Sequence, residues 1–248
     1  MWKLLQLRRE QGRQAIPELS TARPEGFRGR PMIATTPCAD GCAACVASCP
    51  TAAITAPPVR LDLGACTFCG ACAEVCPTGK VTFTSEVAMA ASQRADLVRG
   101  EGDTAAPAID LGAEIRARFG RSLKLRQVSA GGCNACELEL NALANVNFDL
   151  GRHGLEWVAS PRHADALVVS GPITKTMADA IVLAWDAMTA PRFVVAVGAC
   201  AVSGGLYRDA AGVDRGFFER VPPLLYVPGC PPHPLTIARA LLTAIGVG

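Results

Sequence analysis

From residue 123 onward, short apolar runs alternate with longer stretches of mixed pattern. LKLRQV (123–128), LEWVAS (155–160), ALVVS (166–170), FVVAV (193–197) and LLYV (224–227) are β-branched or apolar runs of strand length. Between them, ELELNALANV, KTMADAIVLAWDAM and LTIARALLTAI carry apolar residues at helical spacing. Strands alternating with helices predict an α/β domain, a parallel sheet covered on both faces. In such sheets ligands sit in loops beyond the carboxyl ends of the strands.

The first half has another texture. Residues 1–31 are basic and broken by Arg, Gly and Pro, which predicts a short helix and then an extended arm. Such an arm reads as a docking tail, or less directly as a membrane-surface helix. Residues 32–84 hold eight cysteines among Gly, Pro and Ala, with little material for a conventional core. Residues 85–122 read as a connector. SEVAMAASQRADLVRG is expected to be helical, EGDTAAPA a loop, and IDLGAEIRARFG an amphipathic helix ending at Gly120. The division is therefore an arm (1–31), a cysteine-rich domain (32–84), a connector (85–122) and the α/β domain (123–248).

Composition narrows the chemistry. Of 248 residues, 50% are hydrophobic and 19% charged, which excludes a disordered chain. A net charge of +2 gives no pull toward nucleic acid. No apolar run reaches the roughly eighteen residues of a membrane span. No secretory h-region follows the basic start, and the pair Arg8 and Arg9 lacks the apolar stretch of an export signal. Cysteines in such a chain are expected as thiols or metal ligands rather than disulfides. There is no G-x-G-x-x-G or Walker A pattern, and GACAVSGG has a cysteine inside it, so no dinucleotide or ATP site is expected. The apolar, charge-poor composition predicts large obligate interfaces.

The twelve cysteines fall into groups of four. The first is Cys38-x3-Cys42-x2-Cys45-x3-Cys49-Pro50, the second Cys66-x2-Cys69-x2-Cys72-x3-Cys76-Pro77. The second is the run of bacterial two-cluster ferredoxins, in which the fourth cysteine reaches the other cluster. Cys38, Cys42, Cys45 and Cys76 are thus expected to hold one [4Fe–4S] cluster, and Cys66, Cys69, Cys72 and Cys49 a second. CPTAAI after the first group is echoed by CPTGKV after the second, which gives the domain an internal pseudo-twofold. The extra residue in the first group falls at Asp40-Gly41, where a glycine lets the chain bulge outward. Two zinc sites are the alternative, but zinc favours paired knuckles or Cys/His mixtures. Cys133, Cys136, Cys200 and Cys230 each follow a predicted strand, so they converge at one end of the sheet as candidate ligands of a third [4Fe–4S] cluster.

SAGGCNACELEL, ADALVVSGPITKTM, VVAVGACAVSGG and YVPGCPPHP resemble the family shared by [NiFe]-hydrogenase small subunits and their counterpart in respiratory complex I, over roughly 123–245. The resemblance implies a flavodoxin-like fold, preceded here by a small α+β ferredoxin domain. The complex I counterpart has adjacent cysteines at the first ligand pair. Cys133-Asn-Ala-Cys136 has the hydrogenase spacing. With neither a twin-arginine signal nor further C-terminal clusters in view, the likeness is to the cytoplasm-facing group 4 branch, the formate-hydrogenlyase and CO-induced type. There the two-cluster ferredoxin is usually a separate subunit, whose segment before the clusters resembles FRGRP (27–31); here the two are fused.

With no cysteine left over, the resemblance implies no catalytic residue in this chain and a nickel–iron centre on a large-subunit partner. Further partners are an electron-donor subunit or ferredoxin and the membrane subunits of a complex, giving peripheral attachment at the cytoplasmic face of the inner membrane. A nickel-free NADH or ferredoxin:quinone oxidoreductase subunit and a free-standing ferredoxin-type carrier are the competing readings. Glu137 and Glu139 follow the C-x-x-C at a helix start, where a carboxylate complements the helix dipole; one of them could instead relay a proton. His233, three residues past Cys230, is expected at a subunit interface or beside the third cluster. If Glu139 relays protons, Glu139→Gln slows hydrogen evolution while the cluster spectra stay normal, and unchanged turnover refutes the role.

Overall fold

In a computed structural model describing residues 2–12, 14–119 and 122–247, the apolar runs form a five-stranded parallel sheet. Strands β1–β5 precede it in the chain: Pro31–Ile33, Ile54–Thr55, Arg60–Asp62, Val81–Phe83 and Val98–Arg99. The sheet itself is β6 (Leu123–Ser129), β7 (Leu155–Trp157), β8 (Ala166–Ser170), β9 (Phe193–Val197) and β10 (Leu225–Val227), in the order β10-β9-β8-β6-β7. Counted within the domain, that is the flavodoxin-like order 2-1-3-4-5, whose switch point lies between β6 and β8. Every residue of β8 and β9 is buried, as expected for strands covered on both faces.

Nine helices are described. The first four are α1 (Trp2–Gln11), α2 (Ala44–Ala47), α3 (Ala71–Glu74) and α4 (Gly112–Phe119). The others are α5 (Ala135–Ala142), α6 (Lys175–Asp186), α7 (Ala199–Ser203), α8 (Gly216–Arg220) and α9 (Pro234–Ile245). One sheet face packs Leu123, Leu125, Val168, Phe193 and Val195 against Leu140 of α5 and the buried side of α9. The other packs Leu167, Val169 and Val194 against Ile181 of α6 and Phe217 of α8. The alternation of odd and even strand positions between two cores is the period of two that strands impose.

The cysteine-rich half is a small α+β unit. β1 pairs with β4, and β3 pairs with both β2 and β5, all antiparallel. Its pseudo-twofold is visible in the short helices α2 and α3, which carry Cys45 and Cys72 at matching places.

The segment 85–100 departs from the helical expectation. It has no regular secondary structure over 86–90, makes a single 3-10 turn at Arg94–Leu97, and ends in β5. Its alanines and glutamate favour a helix, but tertiary pairing overrides propensity. Ala91 exchanges both backbone hydrogen bonds with Tyr226, at 3.1 and 2.9 Å, while Val87, Met89, Ala90 and Ala91 are all buried. The connector thus adds a bridge beside β10 and a strand to the ferredoxin sheet. The amphipathic helix that follows is α4; its expected end, Gly120, lies outside the described residues.

The basic arm docks on its own chain. Leu19 is fully buried in the core of the larger domain, and Ile16 N–H donates to the Asn147 carbonyl at 2.9 Å. Helix α1 buries nothing and leaves Trp2, Leu4, Leu5 and Leu7 exposed.

Leu125→Ala, in the buried core of β6, is expected to cost about 3 kcal/mol, whereas Leu183→Ala on the exposed face of α6 costs well under about 1 kcal/mol. Denaturant midpoints of the two variants measure the difference.

Candidate iron–sulfur sites

Cys38, Cys42, Cys45 and Cys76 line one cavity, with Val59, Lys80 and Val81. Burial pushes the Cys45 thiol up, and the nearby charges of Cys76 and Cys38 push it further. Burial also raises Cys76, but hydrogen bonds from the Val81, Thr78 and Lys80 segment outweigh it, and its thiol ends below the ordinary value. The Asp40-Gly41 insertion turns outward: Gly41 has φ +66°, and a Cβ there would meet open space. Lys80 is buried at the cavity wall, donating to the Thr36 carbonyl at 2.5 Å and pairing with Glu101 at 3.0 Å.

Cys66, Cys69, Cys72 and Cys49 form a second set. Burial pushes Cys66 up to about 12, and Cys72, Cys49 and Cys69 are the thiols whose charges add to it. Cys72 is raised to about 11, by burial first and then by Cys69, Cys49 and Cys45, so the two sets are neighbours. The sequence repeat becomes a geometric one. Ala53 N–H donates to Cys49 Sγ at 3.2 Å, and Lys80 N–H donates to Cys76 Sγ at 3.2 Å. The hydroxyls of Thr51 and Thr78 lie 3.8 and 3.7 Å from the same two sulfurs. Arg28, from the arm, donates to the Cys69 and Phe68 carbonyls and lies where a Cβ on Gly70 would fall.

The third set assembles from three strand ends. Cys133 and Cys136 follow β6, Cys200 lies on α7 after β9, and Cys230 follows β10. Burial raises Cys136 to about 12, with Glu137, Cys200, Cys230 and Cys133 adding. Cys200 rises to about 11 by burial, Cys230 and Cys133, against the pull of Arg215. A Cβ on Gly198, which has φ +89°, would stand 2.6 Å from Cys136 Sγ, so only glycine leaves that sulfur its place.

All twelve cysteines are free thiols. Among the described residues, no three His, Cys, Asp or Glu side chains converge closely enough to hold one metal ion, the arrangement that a zinc site requires. Cys38, Cys42, Cys45 and Cys76 around one cavity, with backbone N–H groups aimed at Cys49, Cys66 and Cys76, fit a group several atoms across, an iron–sulfur cluster.

The sets are joined by contacts that the sequence did not announce. Arg208 donates to the Thr51 carbonyl, two residues past Cys49, at 3.0 Å. A Cβ on Gly64 would stand 2.6 Å from Val202 of α7. Arg94 holds Asp62 with two hydrogen bonds of 2.8 and 2.5 Å at the same seam. The loops of the second set therefore abut the helix that carries Cys200.

Glu137 lies in the first turn of α5, but its partners are not helical amides. Its Oε1 accepts from Ser129 and Ser170 hydroxyls, both at 2.7 Å, tying the ends of β6 and β8 at the switch point, while Oε2 is buried without a partner. The signal for this was a serine at the end of each of two strands. Glu139 is half-buried, and burial raises its pKa. His233 caps α9, its Nδ1 accepting from Leu235 N–H at 3.1 Å. Its ring packs against Phe27 of the arm and Phe148, with centroids 5.1 and 6.3 Å away, an internal contact rather than an open face.

Glu137→Ala strands two hydroxyls and opens a cavity at the switch point, at a cost of about 3 kcal/mol. A thermal unfolding midpoint equal to that of the unsubstituted chain would refute this.

Residues 38–80 match the family described as the 4Fe-4S dicluster domain, and residues 133–244 the family described as NADH ubiquinone oxidoreductase, 20 Kd subunit. Formate hydrogenlyase subunit 7 of Escherichia coli (strain K12) is 37% identical over 135 residues, 54% of this chain and 53% of that one. An NADH-quinone oxidoreductase subunit of Roseiflexus sp. (strain RS-1) is 44% identical over 113 residues, 45% of this chain and 42% of that one. The chain thus spans about half the length of these two relatives. The probable membrane-bound hydrogenase subunit mbhJ of Pyrococcus furiosus is 34% identical over 127 residues, 51% of this chain but 76% of that one. With that coverage, and with the flavodoxin-like sheet and four cysteines at its strand ends, the chain belongs to the family of the NADH ubiquinone oxidoreductase 20 kDa subunit, carrying a 4Fe-4S dicluster domain on its N-terminal side.

Proposed function

We propose that the chain is the electron-transfer subunit of a membrane-associated [NiFe]-hydrogenase-type complex and holds three [4Fe–4S] clusters. The observation that carries this is the grouping of all twelve free cysteines: four line one cavity, and the thiol charges of the other eight bear on one another within two sets of four. On this reading Cys38, Cys42, Cys45 and Cys76 hold the first cluster, Cys66, Cys69, Cys72 and Cys49 the second, and Cys133, Cys136, Cys200 and Cys230 the third. Bound there, such clusters supply one-electron redox chemistry. The residues of the chain fix the thiols, aim N–H groups at sulfur and keep the sets at constant separation. The domains that do this are the ferredoxin unit near 32–84 and the α/β unit from 123, joined by the connector between.

Two relatives bear the names of a formate hydrogenlyase subunit and a probable membrane-bound hydrogenase subunit, which supports a hydrogenase-type large subunit as the partner. No described helix is long and apolar enough to cross a membrane, in keeping with attachment through membrane subunits at the cytoplasmic face. An electron-donor subunit or ferredoxin completes the set of partners. The match to an NADH-quinone oxidoreductase subunit favours, as a second reading, a complex without nickel. The C-x-x-C spacing of Cys133 and Cys136 weighs against it.

Anaerobic co-purification with metal analysis tests the proposal. About twelve iron atoms per chain are expected, with nickel in the accompanying large subunit. About eight iron atoms would remove the third cluster, and iron without nickel would select the quinone oxidoreductase reading. Gly198→Ala, whose Cβ displaces Cys136 Sγ, should lower the count by about four while the ferredoxin signals persist.

A further inference from the structure

Arg215 immediately precedes α8, and its guanidinium turns back onto α7. Nη1 donates to the Cys200 carbonyl at 3.0 Å, and Nη2 to those of Ala201 and Val202 at 2.7 and 3.2 Å. The cation also lies over the Phe218 ring, 5.4 Å from its centroid. These contacts hold it against the helix that presents Cys200.

Its partners are neutral, three carbonyls and a ring. Among the described residues Arg215 forms no ion pair, while Arg94, a cation whose charge opposes its own, is held by Asp62. Burial, then Arg94, disfavour the charge of Arg215; Cys200 and Tyr226 are the groups that favour it. Desolvating a guanidinium without an anion is costly. The group on this helix that can carry the missing anion is Cys200, whose carbonyl Arg215 already holds at 3.0 Å. Four thiolates around a cubane are net anionic, and one-electron reduction adds a further negative charge to the same place. A fixed cation beside it favours the reduced state.

We infer that Arg215 is the counter-charge of the third cysteine set, a positioning residue that acts through Cys200 to raise the reduction potential of the cluster held there. The inference rests on the reading of Cys133, Cys136, Cys200 and Cys230 as ligands of a [4Fe–4S] cluster. Its charge is permanent under physiological conditions, so the effect does not depend on a proton.

The test is an anaerobic redox titration of the purified complex with dithionite as reductant, followed by electron paramagnetic resonance. Arg215→Gln should move the midpoint of the third cluster to a more negative potential and leave the two ferredoxin midpoints in place. Arg215→Lys, which keeps the charge but loses the fork, should stay at the midpoint of the unsubstituted complex. An unmoved third midpoint in Arg215→Gln, or equal shifts in both variants, overturns the inference; equal shifts would assign Arg215 to holding α7 only. If Arg215→Gln fails to take up the third cluster, Arg215→Lys decides alone, its unshifted midpoint supporting the charge and a shifted one refuting it. An unsubstituted complex with only two clusters, about eight iron atoms per chain, removes the premise and is distinguished by its iron count before any variant is compared.

Discussion

Thiol charge is the constraint around which this chain is organised. Four sulfurs held within reach of one another resist joint ionisation, and burial raises the cost, as the upward displacement of Cys66, Cys72, Cys136 and Cys200 shows. A group that takes all four as thiolates must bring its own positive charge, and the protein must add the rest. It does so in three ways. Backbone N–H groups point at Cys49, Cys66 and Cys76. Glycines let the backbone close on the sulfurs, most tightly at Gly198. Cations stand behind the loops, with Lys80 at the first set, Arg28 at the second and Arg215 at the third.

The two kinds of site solve this by opposite architectures. In the ferredoxin half, the cysteines come from two short runs, Cys38 to Cys49 and Cys66 to Cys76, and the fold is little more than the loops that carry them. The repeated Cys-Pro-Thr segment supplies the same pair of contacts twice, an amide and a hydroxyl, so one local solution serves two sets. In the α/β half, the cysteines are up to 97 residues apart, from Cys133 to Cys230. A rigid sheet must carry them, and both of its faces are sealed by core residues. Glu137 belongs to that logic. It ties β6 to β8 at the point where the chain reverses direction across the sheet, next to the loop that presents Cys133 and Cys136.

The parts legible in the sequence were those set by local spacing. The cysteine runs, the five strands and the helices α5, α6 and α9 follow from patterns within a few turns of chain. What escaped was fixed by distant partners. The segment 85–100 has helical composition, but Tyr226 claims the backbone of Ala91, and Leu61 and Asp62 claim β5. His233 was expected at a subunit interface or beside the third cluster, yet its lone pair caps α9 and its ring packs against two phenylalanines from other parts of the chain. Arg215 carried no motif. Its meaning appears only when α7 is brought beside it, and arginine in a loop is otherwise a surface residue.

Fusion adds a constraint that separate subunits would lack. Cys45, Cys66 and Cys72 share a hydrophobic cluster with Ala196, Ala201 and Val202, so the ferredoxin half and the carboxyl ends of the sheet are one packed body. The arm reinforces it from the far side, with Arg28 on the second set, Phe27 on His233 and Leu19 in the main core. The connector crosses between, bonded to β10 at one end and to β3 at the other. Three independent segments therefore fix the gap between the second and third cysteine sets. On the proposed reading electrons tunnel across that gap at a rate steep in distance, and a packed seam of alanines, Val202 and Gly64 holds it more tightly than a polar interface between two mobile chains would.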